Sequence, residues 1–285
     1  MPGQTLSEVR ALLAAAGLTP QHRFGQNFLV DLNLMRKLVA AAAPGPGDVV
    51  LEVGPGTGSL TELLLDSGAT VIAAEIDRGL AALLRGHFAD TPRFTLVEGD
   101  ALAGKHAISP AILAALATAG PPDAPRKLIA NLPYQIATPL LMELLYLRPA
   151  FASLTCTIQK EVGQRLQAVP RNEHYGPLAV IAQTLATVRP LAALPPRAFW
   201  PAPQVESVMV QLVPLPTPPV ADAPAFVDLV RRAFLQRRKM LRRIIRDWPD
   251  ADAAHAALAA AGLSPDRRPE ELAVADWQRW HALRH

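Results

Sequence analysis

Beyond residue 46 the chain alternates between short apolar runs of strand length and longer runs with helical spacing of apolar residues. This alternation predicts an α/β fold in which a parallel sheet has helices on both faces. The strand-length runs are apolar on both sides, as a sheet covered on both faces requires. The predicted strands are 48–53, 70–75, 93–97, 126–130, 151–158 and 205–213, and the predicted helices are 59–66, 78–88, 110–119, 137–147, 160–168 and 177–186.

Segment 213–225 contains five prolines. Because proline lacks the backbone N–H that helices and central strands need, this segment is predicted to be a semi-rigid linker. Only helical patterns follow it, which indicates a small all-α domain at the C-terminus. The predicted domains are 1–213 (α/β), 214–223 (linker) and 224–285 (helical), and the predicted helices of the last domain are 224–247, 251–261 and 270–282.

Cysteine and histidine content argues against disulfides and metal sites. Cys156 is the only cysteine, so no intramolecular disulfide or cysteine-based zinc site can form. The seven histidines show no metal-ligand spacing, and we expect no metal.

No apolar run approaches the ~18 residues of a membrane span, and Glu8 and Arg10 interrupt any signal-peptide pattern. We therefore expect a soluble, cytoplasmic protein with no membrane partner, and nothing requires more than a monomer.

A glycine-rich turn follows the first predicted strand. Residues 49–58 read Val-Val-Leu-Glu-Val-Gly-Pro-Gly-Thr-Gly, and a helix is predicted from Ser59. Glycines let the backbone turn tightly and approach a ligand closely. Nicotinamide-binding proteins also use such a turn, but their Gly-x-Gly-x-x-Gly spacing suits a pyrophosphate at the helix N-terminus. The Gly-x-Gly-x-Gly spacing here favours S-adenosylmethionine, which has no phosphate.

Acidic residues end the next two strands. Glu75 can accept hydrogen bonds from both ribose hydroxyls of a nucleoside, and Asp100 from the exocyclic amine of the cofactor adenine. Taken singly, Asp77 and Asp100 could be turn formers or helix N-caps, but the joint pattern at successive strand ends favours a nucleoside site. Glu52, inside the first strand, is costly to bury unpaired, so we expect it to bond amides of the glycine turn or to face the cofactor.

Asn131-Leu132-Pro133-Tyr134 follows the fourth predicted strand and is the most specific motif of the chain. The exocyclic nitrogen of adenine is a poor nucleophile because its lone pair is delocalised into the ring. Acceptors on both amine protons favour the pyramidal nitrogen, and the Asn131 oxygen and the carbonyl of Leu132 or Pro133 can supply them. Proline holds the backbone in place, and Tyr134 offers a ring for base stacking. The motif therefore predicts methyl transfer to adenine, in which positioning matters more than a strong base.

A second aromatic candidate is Phe199, which lies in the proline-stiffened segment 199–207. A flipped base needs two flat faces around it, and Phe199 opposite Tyr134 would complete a sandwich. The alternative is that Phe199 and Trp200 cover a sheet edge.

Segment 230–246 carries eight basic residues and no acidic one. If it were one unbroken helix, seven of the eight would lie within an arc of about 140° over an apolar underside. Such a face fits an RNA backbone, and an anionic membrane surface is the weaker alternative. The predicted RNA-binding residues are Arg231, Arg238, Lys239, Arg242, Arg243 and Arg246, with Arg232 also on the arc.

These motifs, in this order, resemble the small-subunit ribosomal RNA adenine dimethyltransferases, the KsgA/RsmA family. The resemblance covers nearly the whole chain and begins at 23–29, where the family places its Gln-Asn-Phe-Leu segment over the cofactor. It implies a Rossmann-like class I methyltransferase sheet and a helix break near Gln236. Gln135 and Ala137 replace the commonest family residues after the tyrosine but leave the Asn-Leu-Pro-Tyr core whole. The expected cofactor-binding residues are Gln26, Asn27, Leu29, Gly54, Gly56, Glu75, Ile76, Asp100, Ala101 and Asn131.

The resemblance also implies a substrate and a partner. Two adjacent adenosines in the 3′-terminal hairpin of small-subunit (16S) rRNA would each receive two methyl groups on N6 from S-adenosylmethionine, late in assembly of the small subunit. Three alternatives remain: a large-subunit rRNA adenine dimethyltransferase of the macrolide-resistance type, a non-catalytic RNA-binding assembly factor, and a DNA adenine methyltransferase. The last is disfavoured because no further domain is large enough to read a duplex.

Overall fold

The structure is a computed structural model that describes residues 3–104, 107–147 and 151–284. The chain divides into two compact units. Unit 1 comprises Met1–Lys160 and Arg189–Val213, and unit 2 comprises Glu161–Val188 and Pro214–His285.

Unit 1 is built on a seven-stranded sheet with helices between its strands. Two further short strands pair with each other in a separate sheet. The strands of the chain are β1 (Phe28–Leu29), β2 (Val49–Val53), β3 (Thr70–Glu75), β4 (Phe94–Glu98), β5 (Arg126–Asn131), β6 (Ser153–Gln159), β7 (Ala186–Leu194), β8 (Phe199–Trp200) and β9 (Ser207–Pro214). The helices of unit 1 are α1 (Leu6–Ala15), α2 (Leu32–Ala42), α3 (Ser59–Asp66), α4 (Arg78–His87), α5 (Pro110–Thr118) and α6 (Tyr134–Tyr146), with a 3₁₀ turn at His22–Phe24.

The sheet has the order β4-β3-β2-β5-β6-β9-β7. Strands β2 to β6 are parallel, which confirms the predicted α/β class, and β9 runs antiparallel to β6. The sheet is therefore mixed, not wholly parallel as predicted. Only a 3₁₀ turn at Pro196–Ala198 and β8 separate β7 from β9, so this part lacks the helical crossover that parallel neighbours need.

The core of unit 1 lies between the sheet and the helices that cover it. All five residues of β2 are buried, as the apolar run predicted. Met35 and Leu38 of α2 and Leu64 of α3 are almost wholly excluded from water and pack in one cluster with Val50 and Ile129 of the sheet. This cluster holds α2 and α3 against β2 and β5.

The sequence did not predict the segments before residue 46 or the strand β7. Helix α1 begins with a capping box between Thr5 and Glu8, and β1 pairs antiparallel with β8. Strands of two residues leave no alternation to read. β7 contains Pro190 and is half exposed along its length, which suits its place at the edge of the sheet.

Unit 2 is helical. Its helices are α7 (Lys160–Gln167), α8 (Pro177–Leu185), α9 (Ala223–Phe234), α10 (Leu241–Ile245), α11 (Ala251–Ala260) and α12 (Val274–Ala282), with a 3₁₀ turn at Pro269–Glu271. Trp277 stacks on Phe234 with ring centroids 5.4 Å apart, and the Tyr175 hydroxyl donates a 2.7 Å hydrogen bond to the Leu272 carbonyl.

The division at 161–188 differs from the predicted boundary, which placed these residues in the first domain. Helix α8 packs against α9 and α12, and its residues are therefore buried nearly all round. The last segment of unit 1 ends at Val213, and the predicted linker 214–223 and helical domain 224–285 stay predictions.

The basic segment 230–246 is not one helix. Helix α9 ends at Phe234 and α10 begins at Leu241, so the single arc does not form, and the break lies where the family resemblance placed it. Arg237 lies between the two helices. Its guanidinium pairs with Glu270 at 2.6 Å and donates hydrogen bonds to the carbonyls of Asn172 and Glu173.

Candidate active site

A cavity of about 340 Å³ opens in unit 1 at the carboxyl ends of β2, β3, β4 and β5. Every residue predicted to bind the cofactor lines this cavity, and so do Leu132, Pro133 and Tyr134. The structure therefore brings the glycine turn, the strand-end acids and the Asn-Leu-Pro-Tyr motif to one space, as parallel strands with a common edge require.

The glycine turn forms one wall of the cavity and leaves no room for side chains. Gly54 and Gly56 have φ of +74° and +63°, in the left-handed region. A Cβ at Gly54 would lie 2.9 Å from Pro133, and a Cβ at Gly56 would lie 2.8 Å from the Phe28 ring. The turn therefore exposes backbone to the cavity, and only glycine fits both positions.

Glu75 ends β3 and is buried in the cavity wall. One carboxylate oxygen accepts a hydrogen bond from the Gly56 amide at 3.3 Å, and the other accepts one from the Asp77 amide at 2.9 Å. Burial raises the pKa of Glu75 to about 7. A desolvated carboxylate with remaining lone pairs fits a pair of ribose hydroxyls, so the residues present suit a nucleoside cofactor.

Glu52 is the second buried acid at the cavity. Burial raises its pKa to about 8, partly offset by the Thr61 hydroxyl, which donates a 2.6 Å hydrogen bond to it. The prediction that Glu52 bonds amides of the glycine turn is therefore wrong, because its hydrogen-bond partner is the Thr61 hydroxyl of α3. Glu52 does line the cavity, in agreement with the alternative.

Asp77 and Asp100 combine local and site contacts. Asp77 caps α4 through the amides of Gly79 and Leu80, and its other oxygen accepts a 3.0 Å hydrogen bond from the Gln26 side chain. Asp100 accepts the Leu102 amide at 2.9 Å, as a turn former does, and also lines the cavity. The structure therefore shows the turn-forming contact of Asp100, and its hydrogen bond with the adenine amine of the cofactor stays a prediction.

Ile76 presents an apolar surface at the cavity. Its side chain is 43% exposed, which is unusual for isoleucine next to a buried strand end. An apolar side chain in this place can pack against a purine ring.

Asn131 is held at both ends of its carboxamide. Its Nδ2 donates a 2.9 Å hydrogen bond to the Asn27 carbonyl, and its Oδ1 accepts a hydrogen bond from the Thr157 hydroxyl. The Leu132 amide donates to the Thr157 carbonyl at 3.2 Å. Oδ1 keeps a second lone pair and Nδ2 a second proton.

Tyr134 opens helix α6 with its ring at the cavity. Its hydroxyl lies 2.6 Å from the Ser207 hydroxyl of β9, and burial raises the pKa of the phenol. Tyr134 is therefore neutral at physiological pH and fixed at its far end. The sequence missed the part played by Ser207, although it singled out the segment that ends there.

Phe199 is not part of the cavity. It is 3% exposed, pairs with Leu29 across the two-stranded sheet and packs in the core cluster that includes Met209. The proposed sandwich of Phe199 and Tyr134 is therefore not formed in this structure. The alternative, that Phe199 and Trp200 cover a sheet edge, stays a prediction; the structure places Phe199 in the core cluster beside the β1–β8 pairing.

The segment before β1 contributes the remaining wall. Gln26 accepts a hydrogen bond from the Gln21 amide at 2.7 Å while its amide group donates to Asp77. Arg23 and Phe24 also line the cavity, with the guanidinium 4.6 Å from the ring centroid. Sequence reasoning assigned neither residue, because a single cation and a single aromatic in a loop carry no pattern.

The predicted RNA-binding residues lie in unit 2 and differ in their pairing. Arg242 pairs with Asp266 at 2.8 Å, and Arg246 pairs with Asp247 at 3.3 Å. In the part of the chain that the structure describes, the other four form no ion pair; they are Arg231, Arg238, Lys239 and Arg243. Unpaired cations remain available to phosphates.

Metal and thiol chemistry find no support in the described ranges. No group of three or more His, Cys, Asp or Glu in residues 3–104, 107–147 and 151–284 could hold a metal ion. Burial raises the pKa of the Cys156 thiol to about 12, so this residue behaves as the buried small hydrophobe that was predicted. None of the described helices is both long and apolar enough to span a bilayer.

Three comparisons with known proteins agree with this geometry. A sequence profile described as ribosomal RNA adenine dimethylase matches residues 17–282. A protein of Phenylobacterium zucineum named ribosomal RNA small subunit methyltransferase A is 44% identical over 275 residues, which cover 95% of this chain and 90% of the relative.

Two solved structures share the fold. A dimethyladenosine transferase from Plasmodium falciparum superposes with a TM-score of 0.71 at 23% identity, over 89% of this chain and 95% of the other. The 23S rRNA methyltransferase ErmE superposes with a TM-score of 0.62 at 25% identity, over 90% and 99%.

Proposed function

Because the chain belongs to the ribosomal RNA adenine dimethylase family, we propose that it dimethylates N6 of two adjacent adenosines in the 3′-terminal hairpin of small-subunit rRNA. S-adenosylmethionine is the methyl donor. The observation that carries the proposal is that one cavity is lined by two sets of residues. Glu75 is the acid proposed to bind the cofactor ribose, and Asn131 and Tyr134 are the residues proposed to bind the target base.

The cofactor is held by residues that the cavity already arranges. Glu75 accepts the ribose hydroxyls, Asp100 accepts from the adenine amine, and Ile76 packs on the purine. The backbone of Gly54 and Gly56 borders the rest of the ligand. When bound, S-adenosylmethionine supplies an electrophilic methyl group on a positively charged sulfur.

The target adenine is activated by position. The free lone pair of Asn131 Oδ1 accepts one amine proton, and the carbonyl of Leu132 or Pro133 accepts the other. The Pro133 carbonyl already accepts the Ile136 amide at 3.2 Å, so it has one lone pair left for this purpose. Tyr134 stacks on the base, with its hydroxyl tethered to Ser207. The proton that leaves the alkylated nitrogen passes to water.

The basic residues of unit 2 bind the RNA backbone. Arg238, Lys239 and Arg243 are exposed and have no acidic partner in the ranges described. Cations without partners neutralise phosphates without first losing an ion pair, which favours an interface there. The surface fits a structured RNA within a small-subunit precursor.

We propose further that the enzyme works as a cytoplasmic monomer during late assembly of the small subunit. Its described helices include none that could cross a membrane. The glycine turn, the strand-end acids and the Asn-Leu-Pro-Tyr motif of one chain line the cavity together.

The nearest rival is a large-subunit rRNA adenine dimethyltransferase, whose site chemistry would be the same. The small-subunit relative covers 95% of this chain at 44% identity, whereas the resemblance to the 23S enzyme stands at 25%. A non-catalytic assembly factor is disfavoured because Glu75, Asn131 and Tyr134 all line the same cavity.

The test is labelled methyl transfer from S-adenosylmethionine to small ribosomal subunits that lack the modification, with large subunits as the control. Digestion to nucleosides identifies the product. We expect dimethyladenosine from the small subunit alone. Label in the large subunit would replace the target by that of the rival enzyme, and absence of label with RNA binding retained would favour the assembly factor.

A further inference from the structure

The Asn131 carboxamide has two neighbours that together decide which way it points. The Asn27 backbone carbonyl can only accept a hydrogen bond, so Nδ2 of Asn131 must face it. Oδ1 then faces Thr157, whose hydroxyl must donate. Without a hydroxyl at 157, only the nitrogen end of the carboxamide would be anchored.

Thr157 is buried in the sheet directly beside Asn131. It lies opposite Asn131 in the parallel register of β5 and β6, and its exposed fraction is 0%. Its carbonyl accepts the Leu132 amide at 3.2 Å. One residue thus holds the motif twice, by its backbone at Leu132 and by its side chain at Asn131.

We propose that Thr157 is a positioning residue for methyl transfer. Its hydroxyl fixes the Asn131 carboxamide so that the remaining lone pair of Oδ1 stays available to the target amine. The inference rests on the proposed function, because it assigns Thr157 a role only through Asn131. Neither the glycine turn nor the cofactor-binding acids depend on this hydroxyl.

The strand provides a matched control two residues earlier. Thr155 has the same side chain, is also 0% exposed, and accepts a 3.3 Å hydrogen bond from Gln211. It lies opposite Ile129, away from the motif. Thr155→Val therefore removes a buried hydroxyl from the same strand without touching Asn131.

The experiment compares full-length Thr157→Val, Thr157→Ser, Thr155→Val and Asn131→Ala with the wild type on unmethylated small subunits. Steady-state and single-turnover methyl transfer give kcat and KM, and thermal unfolding gives Tm. We expect Thr157→Val to lower kcat by about tenfold, the effect of one hydrogen bond, with KM for RNA within about twofold of the wild type.

Loss of the hydroxyl donor should lower kcat roughly tenfold. The serine variant keeps this donor and should therefore retain at least about a third of the wild-type kcat. Thr155→Val should lower Tm about as much as Thr157→Val but leave kcat near that of the wild type. A merely structural role of Thr157 predicts equal losses in both valine variants, or no rescue by serine, and either result overturns the proposal.

The failure of the proposed function would look different. A wild type that makes no dimethyladenosine, or an Asn131→Ala variant with full turnover, contradicts the role of the motif and removes the premise for Thr157. If Asn131→Ala is inactive and Thr157→Val has the wild-type kcat, only the inference about Thr157 is overturned.

Discussion

Asn27 and Asn131 lie 104 residues apart in the chain, yet Nδ2 of Asn131 donates a 2.9 Å hydrogen bond to the Asn27 carbonyl. The contact ties the wall contributed by the N-terminal segment to the motif that is proposed to bind the target base. The side chain proposed to act in the chemistry therefore also connects two walls of the cavity.

Asn131→Ala should abolish methyl transfer, because it removes the acceptor for the target amine and the contact with Asn27. RNA affinity should stay within about twofold of the wild type, since the unpaired cations of unit 2 are unchanged. Methyl transfer and filter binding measure the two effects. Asn33→Ala, at an exposed position of α2, is the control and should leave both unchanged. Undiminished turnover of the Asn131 variant would contradict the proposed role.

Cofactor affinity should rise with pH through about pH 7. Burial raises the pKa of Glu75 to about 7, with Asp77 as a charged neighbour, so below that pH the free protein holds a proton on this carboxyl. Ribose hydroxyls favour the ionised acceptor, and binding must then release the proton. We expect affinity to increase up to about tenfold per pH unit below pH 7 and to level off above it.

Calorimetric titration with S-adenosylhomocysteine at pH 6, 7 and 8 tests this prediction. Glu75→Gln cannot titrate and should show weak binding with little dependence on pH over this range. A wild-type affinity that does not change with pH would mean that Glu75 does not accept from the ligand as an ionised group.

Glu52→Gln should stabilise the protein at alkaline pH. The pKa of Glu52 is about 8 in the folded protein and 4.5 as an ordinary glutamate, so the folded state binds more protons between these values. The free energy of unfolding of the wild type therefore falls as pH rises from 4.5 to 8, by up to about 1.4 kcal/mol per pH unit from this group. Glutamine resembles the protonated acid and removes that loss.

Urea unfolding of both proteins at pH 6 and pH 9 measures the difference. The advantage of Glu52→Gln should be larger at pH 9 than at pH 6. An advantage that shrinks as pH rises would show that Glu52 is ionised and stabilising in the folded protein.

Gly56→Ala should weaken cofactor binding and lower stability. The new Cβ would meet the Phe28 ring at 2.8 Å, and φ of +63° disfavours alanine. The control is Gly86→Ala inside helix α4, where no atom lies within 4 Å of the new Cβ. That substitution should stabilise by roughly 0.5–1 kcal/mol. Thermal unfolding and calorimetric titration check both, and equal behaviour of the two variants would contradict the close packing at the turn.

Reversing both Arg238 and Lys239 to Glu should weaken RNA binding at low salt. The slope of log K against log salt concentration should fall by about one for each lost phosphate contact. Reversal of Arg242 alone should do less, because its pairing with Asp266 already competes with RNA. Lys37→Glu with Arg189→Glu, at two exposed positions of unit 1, makes the same change in net charge and serves as the control. Equal losses in the two double variants would indicate a general charge effect.

Local sequence patterns were sufficient to predict the parallel strands and the residues at their carboxyl ends. Glu75 and Asp100 follow apolar runs of strand length, and parallel strands necessarily bring such ends to one edge. The edge strand β7 was missed because its exposure and its proline hide the alternation. The wall at Gln26 and Asn27 was expected only from the family resemblance.

Contacts between distant segments could not be predicted from the sequence. Ser207 meets Tyr134 and Thr157 meets Asn131 only because of the order of strands in the sheet, and no local spacing reports that order. The position of Phe199 is also determined by burial, because its ring packs in the core and its backbone pairs with Leu29. A phenylalanine beside prolines looks the same in a sequence whether it faces a ligand or the core.

The tether between Tyr134 and Ser207 and the pairing of Phe28 with Trp200 have a consequence for synthesis of the chain. Both join an early part of the cavity wall to residues translated much later. A nascent chain that ends before residue 200 contains the glycine turn, both strand-end acids and the Asn-Leu-Pro-Tyr motif, but neither fastening. Because such long-range contacts form only once both partners exist, a growing polypeptide should acquire affinity for its cofactor late and in one step, after β9 has joined the sheet.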